Sequence, residues 1–294
     1  MKTNTLLVVS YYDRRPIKPL WRLSQSLRLF DLGRIADTCI VINRTGNHKI
    51  ALPDMSSLIG VLERENLGMN IGAWDAGWRR FDGYRTYIFL QDECYPIRDG
   101  WVNALASAAE EPDTGLVGES INTSWDQEWW KLRNTQAMVQ LPEHLVDGRP
   151  TNRVDAYLDF FDRKGIPRGT GGRHLRALVW AARRTVLDQM GGFLIGGNYG
   201  ECIAAEIGVS KRVEAQGLAV RQVAAESFYY IRHQEWNQDR PGGPFVHSPP
   251  PARLFSAPPW ATGPQTYELL SWPATFRLLA ARLCHLLKKR GQRV

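Results

Sequence analysis

No run of about 18 apolar residues occurs in this sequence, which predicts a chain that does not span a membrane. Its opening, MKTNTLLVVS, turns polar too soon for the apolar core of a secretory leader, so a cytoplasmic location is expected. Cysteine is scarce. Cys39, Cys94, Cys202 and Cys284 stand far apart in no CxxC or Cys/His ligand spacing, which argues against a zinc site or disulfide framework and for a reducing compartment. The 26 Gly and 17 Pro follow no collagen-like period and no fixed-interval repeat is present, which excludes fibrous and solenoid classes. Acidic residues are missing from the end of the chain. From Arg277 onward there are six Lys/Arg and no Asp or Glu, leaving 31 basic against 30 acidic residues elsewhere. The net charge of +7 is therefore a property of the tail, and the body carries no nucleic-acid footprint.

What is present suits a globular body. At 294 residues, 44% hydrophobic and 23% charged, the chain can bury a core as one large or two small domains. Thr5 to Ser10, Asp37 to Asn43 and Tyr84 to Leu90 are short β-rich apolar runs. Leu20, Leu23, Leu27 and Phe30 fall at helical spacing between the first two. Leu58 to Glu65 forms a further short element, Trp101 to Glu110 a helix, and Gly115 to Gly118 a strand. Ala177 to Met190 reads as a strand running into a helix stopped by Gly191 and Gly192. Ala204 to Gln216 reads as a helix closed by Gly217. Such alternation predicts an α/β fold with a mainly parallel sheet, whose ligands gather beyond the carboxyl ends of the strands. From 236 to 272 the chain is dense in Pro and Gly. Beyond it, Phe276, Leu279, Ala280, Leu283 and Leu287 share one face of a basic amphipathic helix over 273–294.

Three stretches carry chemistry. In Phe89–Pro96 (FLQDECYP) an apolar strand delivers Asp92 and Glu93 to its carboxyl end. Adjacent carboxylates repel unless paired or bound to a cation, and hard oxygen ligands suit Mg2+ or Mn2+; a solvated strand-to-turn corner is the alternative. In Arg64–Trp74 (RENLGMNIGAW), glycines at 68 and 72 alternate with Asn66 and Asn70, a pattern that lets backbone approach a ligand but also fits a turn before a helix. It has neither GxGxxG spacing nor a P-loop ending. The third stretch joins Met190–Phe193 (MGGF) to Glu206, Arg212 and Gly217.

Taken in order, the VVSYYD strand and loop, the IVIN strand, the ENLGMNIGA loop, the FLQDE strand end, GGF and a Glu-x5-Arg-x4-Gly helix resemble glycosyltransferases of the GT-A fold. The likeness is to the inverting family 2 type and covers roughly residues 5 to 223. It implies a Rossmann-like domain over 1–235 with a nucleotide-sugar-binding half (1–120) and an acceptor and catalytic half (121–235), followed by a C-terminal extension. It places the DxD-like motif on Gln91-Asp92-Glu93, with Gln91 standing where the family carries its first acid. It places the catalytic base on Glu206, alone where the family carries a Glu-Asp pair. Donor contacts fall by resemblance on Tyr11, Tyr12, Asp13, Asn43, Asn66, Gly68, Asn70, Gln91 and Asp92, and a divalent cation (Mn2+ or Mg2+) on Asp92 and Glu93. His233 joins that cation or the diphosphate, or is a structural histidine. Trp125, Trp129 and Trp130 form a sugar-stacking platform or pack in the core, with Arg212 beside the acceptor.

The activity so implied is inverting transfer from a UDP-, GDP- or dTDP-sugar to a glycan or lipid-linked glycan, in cell-surface polysaccharide assembly such as lipopolysaccharide or capsule. Residues 274–294 then touch an anionic membrane at the inner face of the plasma membrane, or dock on the enzyme body. The alternatives are a retaining transferase of the same fold, and a non-catalytic nucleotide- or sugar-binding protein. A nucleic-acid module using the basic tail is a third, although no nucleic acid is expected.

Overall fold

The computed structural model describes residues 4–30, 36–47, 49–135, 145–146, 149–150 and 152–234. The Pro/Gly-rich segment 236–272, the expected helix 273–294 and Cys284 lie outside them. The chain opens with β1 (Thr5–Tyr12), α1 (Lys18–Leu29), β2 (Ala36–Arg44) and β3 (Leu58–Glu65). Then come α2 (Met69–Arg80), β4 (Thr86–Gln91), β5 (Cys94–Pro96), α3 (Trp101–Glu110) and β6 (Thr114–Gly118). Next are α4 (Trp129–Thr135), the short strands β7 (Leu145–Val146) and β8 (Arg149–Pro150), and α5 (Arg153–Arg163). β9 (Val179–Arg183) runs directly into α6 (Arg184–Met190), and α7 (Tyr199–Ala215), β10 (Ala219–Gln222) and β11 (Ile231–His233) follow.

Seven strands form the central sheet in the order β10-β6-β9-β4-β1-β2-β3. β9 runs antiparallel to β4 and β6, while the other neighbours are parallel. From β1 the strands step outward through β2 to β3 on one side and to β4 on the other. The crevice between β1 and β4 is therefore the switch point of a Rossmann-like sheet, and it opens at the carboxyl ends of both strands. This is the α/β class expected from the resemblance.

Both faces of the sheet are covered, which is why β1 reads TLLVVS without polar alternation. Leu6 and Val8 pack beneath Ile71, Trp74 and Trp78 of α2, in a core that also takes in α5, α6 and α7. Leu7 and Val9 face the opposite way, onto Leu20, Leu23 and Leu27 of α1 and Trp101 and Leu105 of α3. A second, two-stranded sheet pairs β11 antiparallel with β5, His233 opposite Cys94. That pairing folds the late chain back over the QDE corner.

Two boundaries differ from the sequence expectation. Residues 64–74 are not one loop: Gly68, at φ 74°, caps α2, which begins at Met69. Likewise α7 starts at Tyr199, ahead of the expected Ala204. Asn198 is its cap, its Oδ1 accepting from Glu201 N–H at 2.9 Å, while Glu201 Oε2 accepts from Gly197 N–H at 2.8 Å. This reciprocal cap outweighs the low helix propensity of Gly200. Glu206 consequently sits well inside the helix, beyond the first turn in which the helix dipole favours a carboxylate.

Candidate active site

At the mouth of the crevice, side chains from three elements converge on one peptide. Asn70 Nδ2 of α2 and Gln91 Nε2 of β4 both donate to the Ala177 carbonyl, at 2.6 and 2.7 Å. From the other side of the same residue, Ala177 N–H donates to Glu206 Oε1 of α7 at 2.8 Å. This gives a physical reason for Gln91. The position requires a donor toward a carbonyl, and an ionised acid offers only acceptors.

One residue further along, Asp92 is 4% exposed, and its Oδ2 has no hydrogen-bond partner. Burial pushes its carboxyl up to about 7 against the opposing charge of Arg15 and a backbone hydrogen bond. Glu93 pairs with the Arg15 guanidinium, and His233 Nε2 lies 3.6 Å from the same carboxylate oxygen. The structure thus brings Asp92, Glu93 and His233 into one corner. Glu119, just past β6, holds that corner shut: its Oε1 accepts from Ile231 N–H at 3.0 Å at the start of β11. Burial raises the Glu119 carboxyl to about 8.

Glu206 is raised to about 7, chiefly by desolvation, with the Ala177 N–H and Arg176 pulling the other way. Its side chain still keeps 23% of its surface. His174 lies beside it, with Nε2 3.8 Å from Glu206 Oε1 and 3.3 Å from Asn122 Nδ2. The Nδ1 of His174 is 2.7 Å from the Gly172 carbonyl. A carbonyl only accepts, so Nδ1 carries the proton and Nε2 faces Asn122 and Glu206 as a lone pair. Burial lowers this imidazole to about 4, leaving it neutral at pH 7. Raised carboxylates gathered in a crevice are the electrostatic pattern of acid–base work.

Most of the remaining candidates for donor contact are held by hydrogen bonds to neighbouring residues. Asp13 accepts from Thr45 N–H at 2.9 Å and from the Thr45 hydroxyl at 2.8 Å. Asn43 joins β2 to α2 by donating to Met69 O at 2.9 Å, and to β3 by accepting from Arg64 at 2.6 Å. The Tyr11 hydroxyl donates to Arg15 O at 2.9 Å, and Tyr12 is half-buried. Asn66, whose Oδ1 is unpartnered, lines an open cleft of about 710 Å³ with Arg44, Thr45, Gly46, Asn47 and Glu65, at the carboxyl ends of β2 and β3.

No family model and no curated protein matches the chain. Two solved glycosyltransferases are similar to it. One is a mannosyltransferase from Pyrobaculum calidifontis, solved with GDP-Man and Mn2+, at 13% identity and a TM-score of 0.42 over 76% of this chain and 55% of that one. The chain therefore spans about half of that protein's length. The other is a mutant Drosophila β1,4-galactosyltransferase 7 with manganese, UDP-Gal and xylobiose, at 11% identity and a TM-score of 0.39 over 79% of this chain and 71% of that one. At TM-scores under 0.5 neither likeness carries an argument about chemistry.

The three tryptophans expected as a sugar-stacking platform separate. Trp125 (6% exposed) packs against Tyr157 and the His174 ring, and Trp129 (8%) packs on Phe161 and donates to Arg168 O at 3.0 Å. Trp130 is 58% exposed. Arg212 points at the GGF turn, its guanidinium donating to Met190 O and, at 3.4 Å, to Gly192 O.

The fit to a divalent cation is that of a shared site. Among the described residues no three His, Cys, Asp or Glu side chains form a complete ligand set. Asp92 offers one buried, unpartnered oxygen, while the next carboxylate, Glu93, is engaged by Arg15 with His233 Nε2 3.6 Å away. One or two carboxylates completed by ligand phosphates is how Mg2+-type ions are commonly held.

No motif marks His174, Arg15 or Glu119 along the chain. Arg15 lies within the quoted YYDRRP loop, and Glu119 directly follows the GLVG strand.

Proposed function

We propose that the protein is a glycosyltransferase that moves a sugar from a nucleoside-diphosphate donor of the UDP, GDP or dTDP type to a glycan or lipid-linked glycan, with inversion at the anomeric carbon. The observation carrying this is the pairing of a buried, half-unsatisfied carboxylate (Asp92) with a second raised carboxylate (Glu206), linked through Gln91, Ala177 and the β4 end at the switch point. Glu206, with a carboxyl near 7, takes the proton of the acceptor hydroxyl. The acceptor oxygen then bonds to the anomeric carbon as the carbon–oxygen bond to the diphosphate breaks, the electron pair leaving on the diphosphate. His174, its Nε2 lone pair accepting from Asn122 Nδ2, keeps a neutral ring beside Glu206. The open cleft beyond β2 and β3 takes the nucleoside. A divalent cation held by Asp92, with Glu93 and His233 beside it, supplies charge relief for the departing diphosphate.

No described helix is long and apolar enough to cross a membrane. Peripheral contact of 274–294 with an anionic inner leaflet is part of the same proposal, as is a role in cell-surface polysaccharide assembly.

A non-catalytic binding protein is the second reading, and the engagement of Glu93 by Arg15 favours it. Thermal shift with UDP-, GDP- and dTDP-sugars, each with and without Mn2+ or Mg2+, tests for the donor site, since a ligand selective for the native state raises its melting temperature. One nucleotide is expected to give a metal-dependent shift that Asp92→Ala abolishes. No shift with any of them overturns the donor site. Release of nucleoside diphosphate by the native chain but not by Glu206→Gln separates the enzyme from the binding protein.

A further inference from the structure

The loop after β1 places an arginine against the acidic corner. Arg15 N–H donates to Tyr12 O at 2.9 Å and the Tyr11 hydroxyl to Arg15 O at 2.9 Å, so its backbone is pinned at the mouth between β1 and β4. From there the guanidinium reaches the Glu93 oxygen that also faces His233. The same guanidinium also interacts electrostatically with the buried carboxylate of Asp92. The arginine side chain is 46% exposed and Glu93 only 14%, so the cation can leave toward the crevice while the carboxylate stays. Its neighbour Arg14 turns the other way, Nε to Thr45 Oγ1 at 3.0 Å.

Resting on the reading that this crevice takes a nucleoside diphosphate, we propose that Arg15 is the exchangeable counter-cation of Asp92 and Glu93. Without ligand the guanidinium occupies Glu93. When a diphosphate arrives with a divalent cation, Arg15 moves to the phosphate oxygens, which its planar fork binds in bidentate fashion, and Glu93 is released toward the incoming cation. An ion pair half open to water is weak, so releasing it costs little. The exchange keeps the corner neutralised in both states and makes cation binding depend on the nucleotide. It also accounts for an acidic corner in which no complete ligand set is assembled among the described residues.

Mn2+ binding followed by the electron paramagnetic resonance signal of the free ion tests this in the full chain, for the native protein, Arg15→Gln and Arg15→Lys. Each is titrated alone and then with UDP, GDP or dTDP. The native protein is expected to bind Mn2+ weakly alone and more tightly with one nucleotide, by a factor in the usual range for coupled ligands of about 5 to 150. Arg15→Gln is expected to bind Mn2+ alone several-fold more tightly and the nucleotide more weakly, with Arg15→Lys preserving the native order. If Arg15→Gln binds Mn2+ alone no better than the native chain while the nucleotide still binds, the exchange is wrong and the donor site stands. Failure of the native chain to bind any nucleotide, with or without Mn2+, overturns the donor site and the exchange together.

Discussion

Burial has moved the acidity of Glu206 to about 7, and this fixes the direction of its pH dependence. A base works only when ionised, so kcat/KM is expected to fall as pH drops through about 7, approaching tenfold per pH unit below it. Glu206→Gln should lower transfer by roughly 10²- to 10⁴-fold, the usual range for general-base catalysis, while the nucleotide-induced thermal shift stays. A pH-independent rate between 5.5 and 8.5 counts against the assignment. At Gln91 the structure predicts the reverse of what motif matching suggests. Gln91→Glu brings the motif closer to the family pattern, yet it sets a second acceptor against the Ala177 carbonyl and is expected to destabilise the fold by about 1–3 kcal/mol, the usual cost of an unsatisfied buried group. Urea denaturation measures it, and a more stable variant refutes the role given to Ala177. The tryptophans divide in the same way. Trp125→Ala should cost about 3–5 kcal/mol as a core truncation, whereas exposed Trp130→Ala should stay within about 0.5 kcal/mol and change only acceptor KM.

At the scale of elements, α2 and α7 hold two of the three side chains that grip Ala177, and each helix depends on its first turn. A Cβ on Gly72 would lie 2.0 Å from the Leu67 carbonyl oxygen, backbone that cannot yield without moving the cap at Gly68. Gly72→Ala is therefore expected to cost about 1–3 kcal/mol as overpacking and to loosen Asn70 from Ala177. Thermal melts combined with nucleotide binding check both effects, and an unchanged melting temperature rules out the close approach. The start of α7 was legible in the residues: Asn198 with Glu201 three positions on is a capping signature. The glycines around it masked that signature in a reading by composition. Strands buried on both faces, such as β1 and β4, stand out as apolar runs. β3, at the sheet edge, alternates partly buried and exposed residues and reads only as a short element.

For the molecule as a whole, three carboxyls whose pKa burial has raised make stability pH-dependent. Asp92 and Glu206 titrate near 7 and Glu119 near 8 in the folded chain, above their ordinary values. From their ordinary values of 3.8 and 4.5 up to about 8, the folded state thus holds more protons than the unfolded one, and stability falls as pH rises across that span. His174, lowered to about 4, acts oppositely, since its contribution is lost as pH falls from 6.5 toward 4. The melting temperature is expected to decline between pH 6.5 and 8.5, and Glu119→Gln, which keeps the shape without the charge, to flatten that decline. A melting temperature that rises over this window contradicts the burial of these groups. The strands, their alternation with helices and the acids QDE and Glu206 are legible in residue order, because apolar runs and motif order are local along the chain. What those acids face is set by the fold. Asn70 and Gln91 meet the Ala177 carbonyl across 107 and 86 residues, and Arg15 meets Glu93 across 78. Burial and charge pairing arise from contacts between distant segments, and no local pattern encodes which segments the sheet order will bring together.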